Sequence, residues 1–70
     1  MNLRHDPQVN AAYIEFREIE PGEETFKLPV DGGEGDVPAL LRFSGSGELL
    51  GVELLDAARQ IPRMLRDIAS

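Results

Sequence analysis

The segment Ala12-Tyr13-Ile14-Glu15-Phe16-Arg17-Glu18 alternates apolar and polar residues with a period of two. It predicts a strand with Ala12, Ile14 and Phe16 on one face and Tyr13, Glu15 and Arg17 on the other. Leu3 to His5 predicts a shorter strand before it, stopped by Asp6-Pro7, a pair suited to the first two positions of a type I turn. Glu24 to Leu28 predicts a third strand with Phe26 and Leu28 inward. Pro29 either ends that strand or makes it an edge, because proline cannot donate to a ladder. Ala39 to Phe43 and Glu48 to Leu55 predict a hairpin around Ser44-Gly45-Ser46-Gly47, with Leu50, Val52 and Leu54 sharing a face. Gly51, on the opposite face, leaves room for a neighbouring side chain.

At Asp56 the period changes. Ala57, Ile61, Met64, Leu65 and Ile68 recur at helical spacing, with Arg59, Arg63 and Arg66 on the remaining faces. Asp56 is placed to accept hydrogen bonds from the first-turn amides. Pro62 interrupts the pattern at a cost of roughly 3 kcal/mol in mid-helix, so a kink or a break is expected there. The pattern as a whole predicts an α+β fold: a small antiparallel sheet of four to five strands with a C-terminal helix packed on one face. Ile14, Phe16, Leu41, Phe43, Leu50, Val52, Leu54, Ile61, Leu65 and Ile68 form the expected core. Residues 1–70 read as a single domain, and three glycines and three acids among residues 30–36 predict a flexible surface loop over about 30–37.

Composition narrows the possible functions. Seventy residues bury a marginal core, and the absence of cysteine removes disulfides and thiolate metal sites. Self-association is the supplement that remains. Thirteen acidic residues against seven basic ones give a formal charge of −6, which argues against nucleic-acid binding and suits a basic protein partner. No apolar run is long enough for a membrane helix, and the N-terminal residues lack the apolar stretch of a secretory signal, so a cytoplasmic location is expected.

Candidate chemistry is sparse. His5 with Asp6, Glu53 or Asp56 is the nearest approach to an acid–base set, yet the turn, the strand end and the cap account for these residues individually. A calcium loop counted from Asp31 fails, with Gly33 third, Asp36 sixth and Arg42 twelfth. Gly32-Gly33-Glu34-Gly35 lacks the Lys-Ser/Thr of a phosphate loop. No catalytic, cofactor-binding or metal-binding residue is therefore assigned, and no cofactor is expected. Leu40 and Leu49 break the inside/outside alternation and read as a second apolar surface, a dimer seam. Tyr13 either anchors a partner or covers Gly51. Tyr13, Leu40 and Leu49 are the candidate partner-binding residues.

Asp6-Pro7, Asn10-Ala11 and Tyr13-Ile14, followed by Gly47 and Gly51-Val52-Glu53-Leu54-Leu55-Asp56-Ala57, resemble a family of small bacterial proteins catalogued as domain of unknown function 2283. The resemblance spans most of residues 3 to 61. His5 stands where that family often has tyrosine, and Arg42-Phe43-Ser44-Gly45 replaces a usual acidic stretch. The family implies no established activity; some members are similar in size and setting to antitoxins. The expectation is a non-enzymatic, homodimeric protein-interaction module. Its alternatives are an antitoxin-like partner of a small basic ribonuclease-type toxin, and a small enzyme or enzyme subunit using His5 with acidic residues.

Overall fold

Five strands form one antiparallel sheet in the computed structural model, which describes residues 1–66. They are β1 (Asn2–Asp6), β2 (Ala11–Glu15), β3 (Thr25–Pro29), β4 (Ala39–Ser44) and β5 (Leu49–Leu54). Their order across the sheet is β1-β2-β5-β4-β3, so the last strand is central and lies between the two hairpins. Pro29 both ends β3 and lies on an edge, in the position where a missing donor costs least.

Register sorts the side chains onto two faces, because directly opposed residues of an antiparallel pair share a face. Leu3, His5, Ala12, Ile14, Val52, Leu54, Ala39, Leu41, Phe43, Leu28 and Phe26 fall on one side. Arg4, Tyr13, Glu15, Gly51, Glu53, Leu40, Arg42 and Lys27 fall on the other. Between Arg42 and Phe43 the β4–β5 register slips by one, from Arg42↔Gly51 to Phe43↔Leu49. The extra β5 residue is Leu50, which is fully buried, and its carbonyl accepts from the Phe16 and Arg17 amides at 2.9 and 3.3 Å.

Two short helices follow: α1 (Ala57–Gln60) and α2 (Arg63–Arg66). Pro62 breaks the expected helix into two pieces. Ile61, immediately before it, is extended at φ −79°, ψ 121°, as the ring of a following proline requires. Asp56 occupies the N-cap position but makes no side-chain capping bond. Asn10, left-handed at φ 53°, does that work from the other end of the chain. Its Oδ1 accepts from the Ala58 amide at 2.8 Å and its backbone carbonyl accepts from the Ala57 amide at 3.0 Å. Its Nδ2 donates to Asp56 Oδ1 at 2.8 Å, which uses the carboxylate that was expected to cap. Gln60 adds a second tie. Its Oε1 accepts from the Asp56 amide and its Nε2 donates to the Pro38 carbonyl, at 2.8 and 2.9 Å.

This fastening presses Ala57 and Ile61 onto Ala12, with Leu3 and Leu54 alongside. Among the described residues the buried apolar ones are Ala12, Ala39, Leu50, Ala57 and Ile61. Of the expected core, Ile14, Leu41, Phe43, Val52 and Leu54 are only partly buried, whereas Phe16 and Leu65 are exposed by 46% and 37%. Phe16 lies past the end of β2, and Leu65 belongs to the piece of helix beyond the proline break, so neither is carried over the centre of the sheet. Ile68 lies outside the described residues. The loop over 30–37 closes on itself, with the Gly32 amide bonded to the Asp36 carbonyl, Asp36 to Gly33, and Val30 to Ala39, each at 2.9 Å.

Candidate protein-docking face

A helix about 10 Å across covers about two strands spaced ~4.8 Å apart, and this sheet has five. The helical segment sits over the β1–β2 side, where α1 contacts β2 and Leu65 lines a hollow with Met1, Leu3 and Ile14. The β3–β4 side of the same apolar face has no such cover among the described residues. Phe26 is 50% exposed and Leu28 51%, although both point to the side that the sequence pattern assigns to the interior. Phe26 stacks on Phe43 with ring centroids 5.4 Å apart and planes 20° from parallel. Leu41 lies opposite Leu28, and the bulge brings Leu49, 38% exposed, opposite Phe43.

The candidates from sequence distribute differently. Tyr13 covers Gly51: a Cβ there would collide with the tyrosine ring and approach the Ile14 carbonyl oxygen to 2.6 Å. Its hydroxyl is buried without a hydrogen-bond partner, and burial pushes its pKa up. Leu40 is half-buried opposite Pro29 and Glu53, on the polar side. Leu49 is carried to the apolar side by the one-residue slip. Leu40 and Leu49 therefore do not form one seam. The sequence places Phe26 and Leu28 inward on their strand, and nothing in the pattern of a single strand tells a covered apolar face from a bare one.

The polar face is a self-contained ionic layer. Arg42 donates to Glu53 at 2.8 Å and to Thr25 Oγ1 at 3.1 Å, and Lys27 lies 3.3 Å from the same glutamate. Burial works to raise the Glu53 pKa, but the bonds and charges of Arg42 and Lys27 win and hold it below the ordinary value. Arg4 pairs with Glu15 at 3.2 Å. At the end of the sheet Arg17 binds both Glu23 oxygens, at 3.1 and 2.7 Å, and also Glu48. These bonds, with one from the Glu20 amide, hold the Glu23 carboxyl at about 2.

An open depression of about 270 Å³ lies beside Val9, Ala11, Tyr13 and Leu55, with His5 and the charged Arg4, Asp6 and Glu53 among its lining residues. Two of its three charged groups are already paired within the sheet, Arg4 with Glu15 and Glu53 with Arg42 and Lys27. His5 is opposite Ala12, on the helix side, whereas Glu53 is opposite Tyr13 on the polar side. Asp6, opposite Ala11, also alternates away from His5. His5, Asp6 and Glu53 thus border one depression, but the register sets His5 on the opposite face of the sheet from both acids and does not aim the set at one point. Among the described residues no group of three or more His, Cys, Asp or Glu side chains could hold a metal ion, and no helix is long and apolar enough to cross a membrane.

Several of the residues that carried the family resemblance have structural duties. Asp6 accepts from the Gln8 amide at 3.1 Å in its turn, Asn10 meets Asp56 at the helix start, and Tyr13 lies on Gly51. No family model matches the chain, and no curated protein or solved structure proves significantly similar to it.

Proposed function

We propose that the chain is a non-enzymatic protein-interaction module and that it works through the bare β3–β4 half of its apolar face. The observation that carries this reading is the half exposure of Phe26 and Leu28 beside a stacked aromatic pair. Fully burying a side chain of this size contributes ~1.5–3 kcal/mol, of which about half remains to be gained at each of these half-exposed residues, so a partner's apolar surface gains by seating there. The reading agrees with the resemblance to a small bacterial family without an established activity. A basic partner, such as a small ribonuclease-type toxin, is the second reading. It is favoured by the charge of −6 and by the exposed acids Glu18, Glu20, Glu24, Asp31, Glu34 and Asp36.

Photocrosslinking tests the docking role. A photoreactive residue placed at Phe26 in the intact chain, expressed in its own host, should give protein adducts. The same probe at Val9, 67% exposed but away from that face, should give few. A folded protein that yields no adduct with any protein chain from Phe26 would overturn the proposal.

A further inference from the structure

We infer that the occupant of the bare half-face is a second copy of this chain, stacked sheet on sheet about a two-fold axis. This rests on the docking reading just given and names its partner.

Area is the first argument. A monomeric protein of 7.7 kDa is expected to expose about 4,300 Å², and this chain exposes 5038 Å². The excess of about 700 Å² belongs to the whole chain, and the half-exposed Phe26 and Leu28 with Leu49 contribute to it on this face, where a stable interface of ordinary size takes ~800 Å² from each partner. Shape agrees with area. The radius of gyration is 12.6 Å, where about 11 Å is expected for seventy residues, and the smallest dimension is 19 Å against 33 and 32 Å for the others. The molecule is a slab, and among the described residues its second layer covers only the β1–β2 side.

The second argument is self-complementarity. A two-fold contact sets a patch against its own copy, so each group must fit its own kind. The patch around Phe26, Phe43, Leu28, Leu41 and Leu49 is wholly apolar, and it meets this condition with no charge left unpaired. Stacked sheets bury such faces ~10 Å apart, as the two layers of a sandwich do.

The alternative mode, strand pairing at the β3 edge, is opposed by the edge itself. Lys27 is central in β3 and Pro29 closes it, two devices that discourage edge pairing. The charge of −6 on each copy makes association repulsive at long range, so added salt should strengthen a dimer. A basic partner would instead be weakened by salt.

Sedimentation of the full chain at ~10 mM and ~150 mM salt provides the first test, since the screening length falls from about 30 to 8 Å over that range. The expected result is a dimer whose dissociation constant falls with salt and rises at least tenfold in Leu28→Glu, while Val9→Glu leaves it unchanged. Because the chain has no cysteine, oxidative crosslinking provides a second, independent test. Leu28→Cys should form an interchain disulfide, and Lys27→Cys, on the other face, should not. A monomer at all concentrations overturns the inference, as does crosslinking through Lys27→Cys in preference to Leu28→Cys. Adducts from Phe26 to a different protein, with the chain itself monomeric, overturn this inference but leave the docking function standing. No adduct to any protein sinks both.

Discussion

The two halves of the apolar face differ in side-chain size and have opposite fates. On the β1–β2 side, alanines at 12 and 57 let α1 settle closely, and Ile61 is buried beneath the break at Pro62. On the β3–β4 side, the larger Phe26 and Leu28 stay half exposed, Phe26 stacked on Phe43, with no helix among the described residues laid over them. The difference lies in the fastening. Asn10, Asp56 and Gln60 tie the helix start to the β1–β2 turn and to Pro38, and a four-residue helix ended by proline cannot reach across to β3. Apolar pattern sets which side a strand buries, but hydrogen-bonded anchors set which strands are covered.

The largest effect that would break this contrast is expected from Gly51→Ala. The new methyl would meet the Tyr13 ring and the Ile14 carbonyl in the middle of the sheet, and backbone cannot give way cheaply. A loss of about 3 kcal/mol, at the upper end for overpacking, should appear in urea unfolding at one fixed protein concentration. Asn10→Ala should follow with about 2 kcal/mol, since a cap is lost and Asp56 loses its neutral donor. Asn10→Asp should be intermediate, because it keeps the acceptor for Ala58 but sets two carboxylates together. An unchanged stability in Asn10→Ala would mean that the covered half does not depend on this anchor.

Leu28→Ser belongs to the bare half and should cost less than about 0.5 kcal/mol in monomer stability, as exposed substitutions usually do. A loss above 2 kcal/mol under conditions that keep the chain monomeric would show that this half is covered after all. Tyr13→Phe should be neutral or slightly stabilising, by under ~1 kcal/mol, because it removes a buried hydroxyl that has no partner while keeping the ring on Gly51.

Acid provides the finest comparison. The folded-state pKa of Glu23 is lowered from 4.5 to about 2, so its pairing with Arg17 stabilises the fold fully above pH 4.5. That contribution is lost as pH falls from about 4.5 towards about 2, when the folded carboxyl finally protonates. Arg17→Met should therefore flatten the stability–pH curve in that window, as followed by urea unfolding at several pH values. An unaltered acid limb would show that the exposed pair contributes little, as many surface pairs do.

Much of this was legible along the chain. The period-two segments located all five strands, and the turn residues located their boundaries within a residue or two, except that β2 ends at Glu15. Pro62 announced a break because a ring without an amide hydrogen cannot continue a helix. Tyr13 and Gly51 paired as an aromatic and a strand glycine can. What failed had a common physical origin. Asp56 looked like the cap because capping is commonly local, yet Asn10 outcompetes it across 46 residues by adopting a left-handed turn that points both its oxygen and its nitrogen at the helix start. Leu49 changed faces because one extra residue in β5 reverses the alternation beyond it, and a bulge leaves no mark in hydrophobic period.

Local chemistry by itself determined the strands, their apolar sides, the turns and the interruption at Pro62, because each depends on dihedral preferences and neighbours a few residues apart. Only the tertiary structure decided the strand order, the slip at Leu50, the trans-acting cap and the exposure of Phe26 and Leu28. Those depend on which distant segments meet, and a helix too short to span the sheet leaves that choice visible as an open apolar surface.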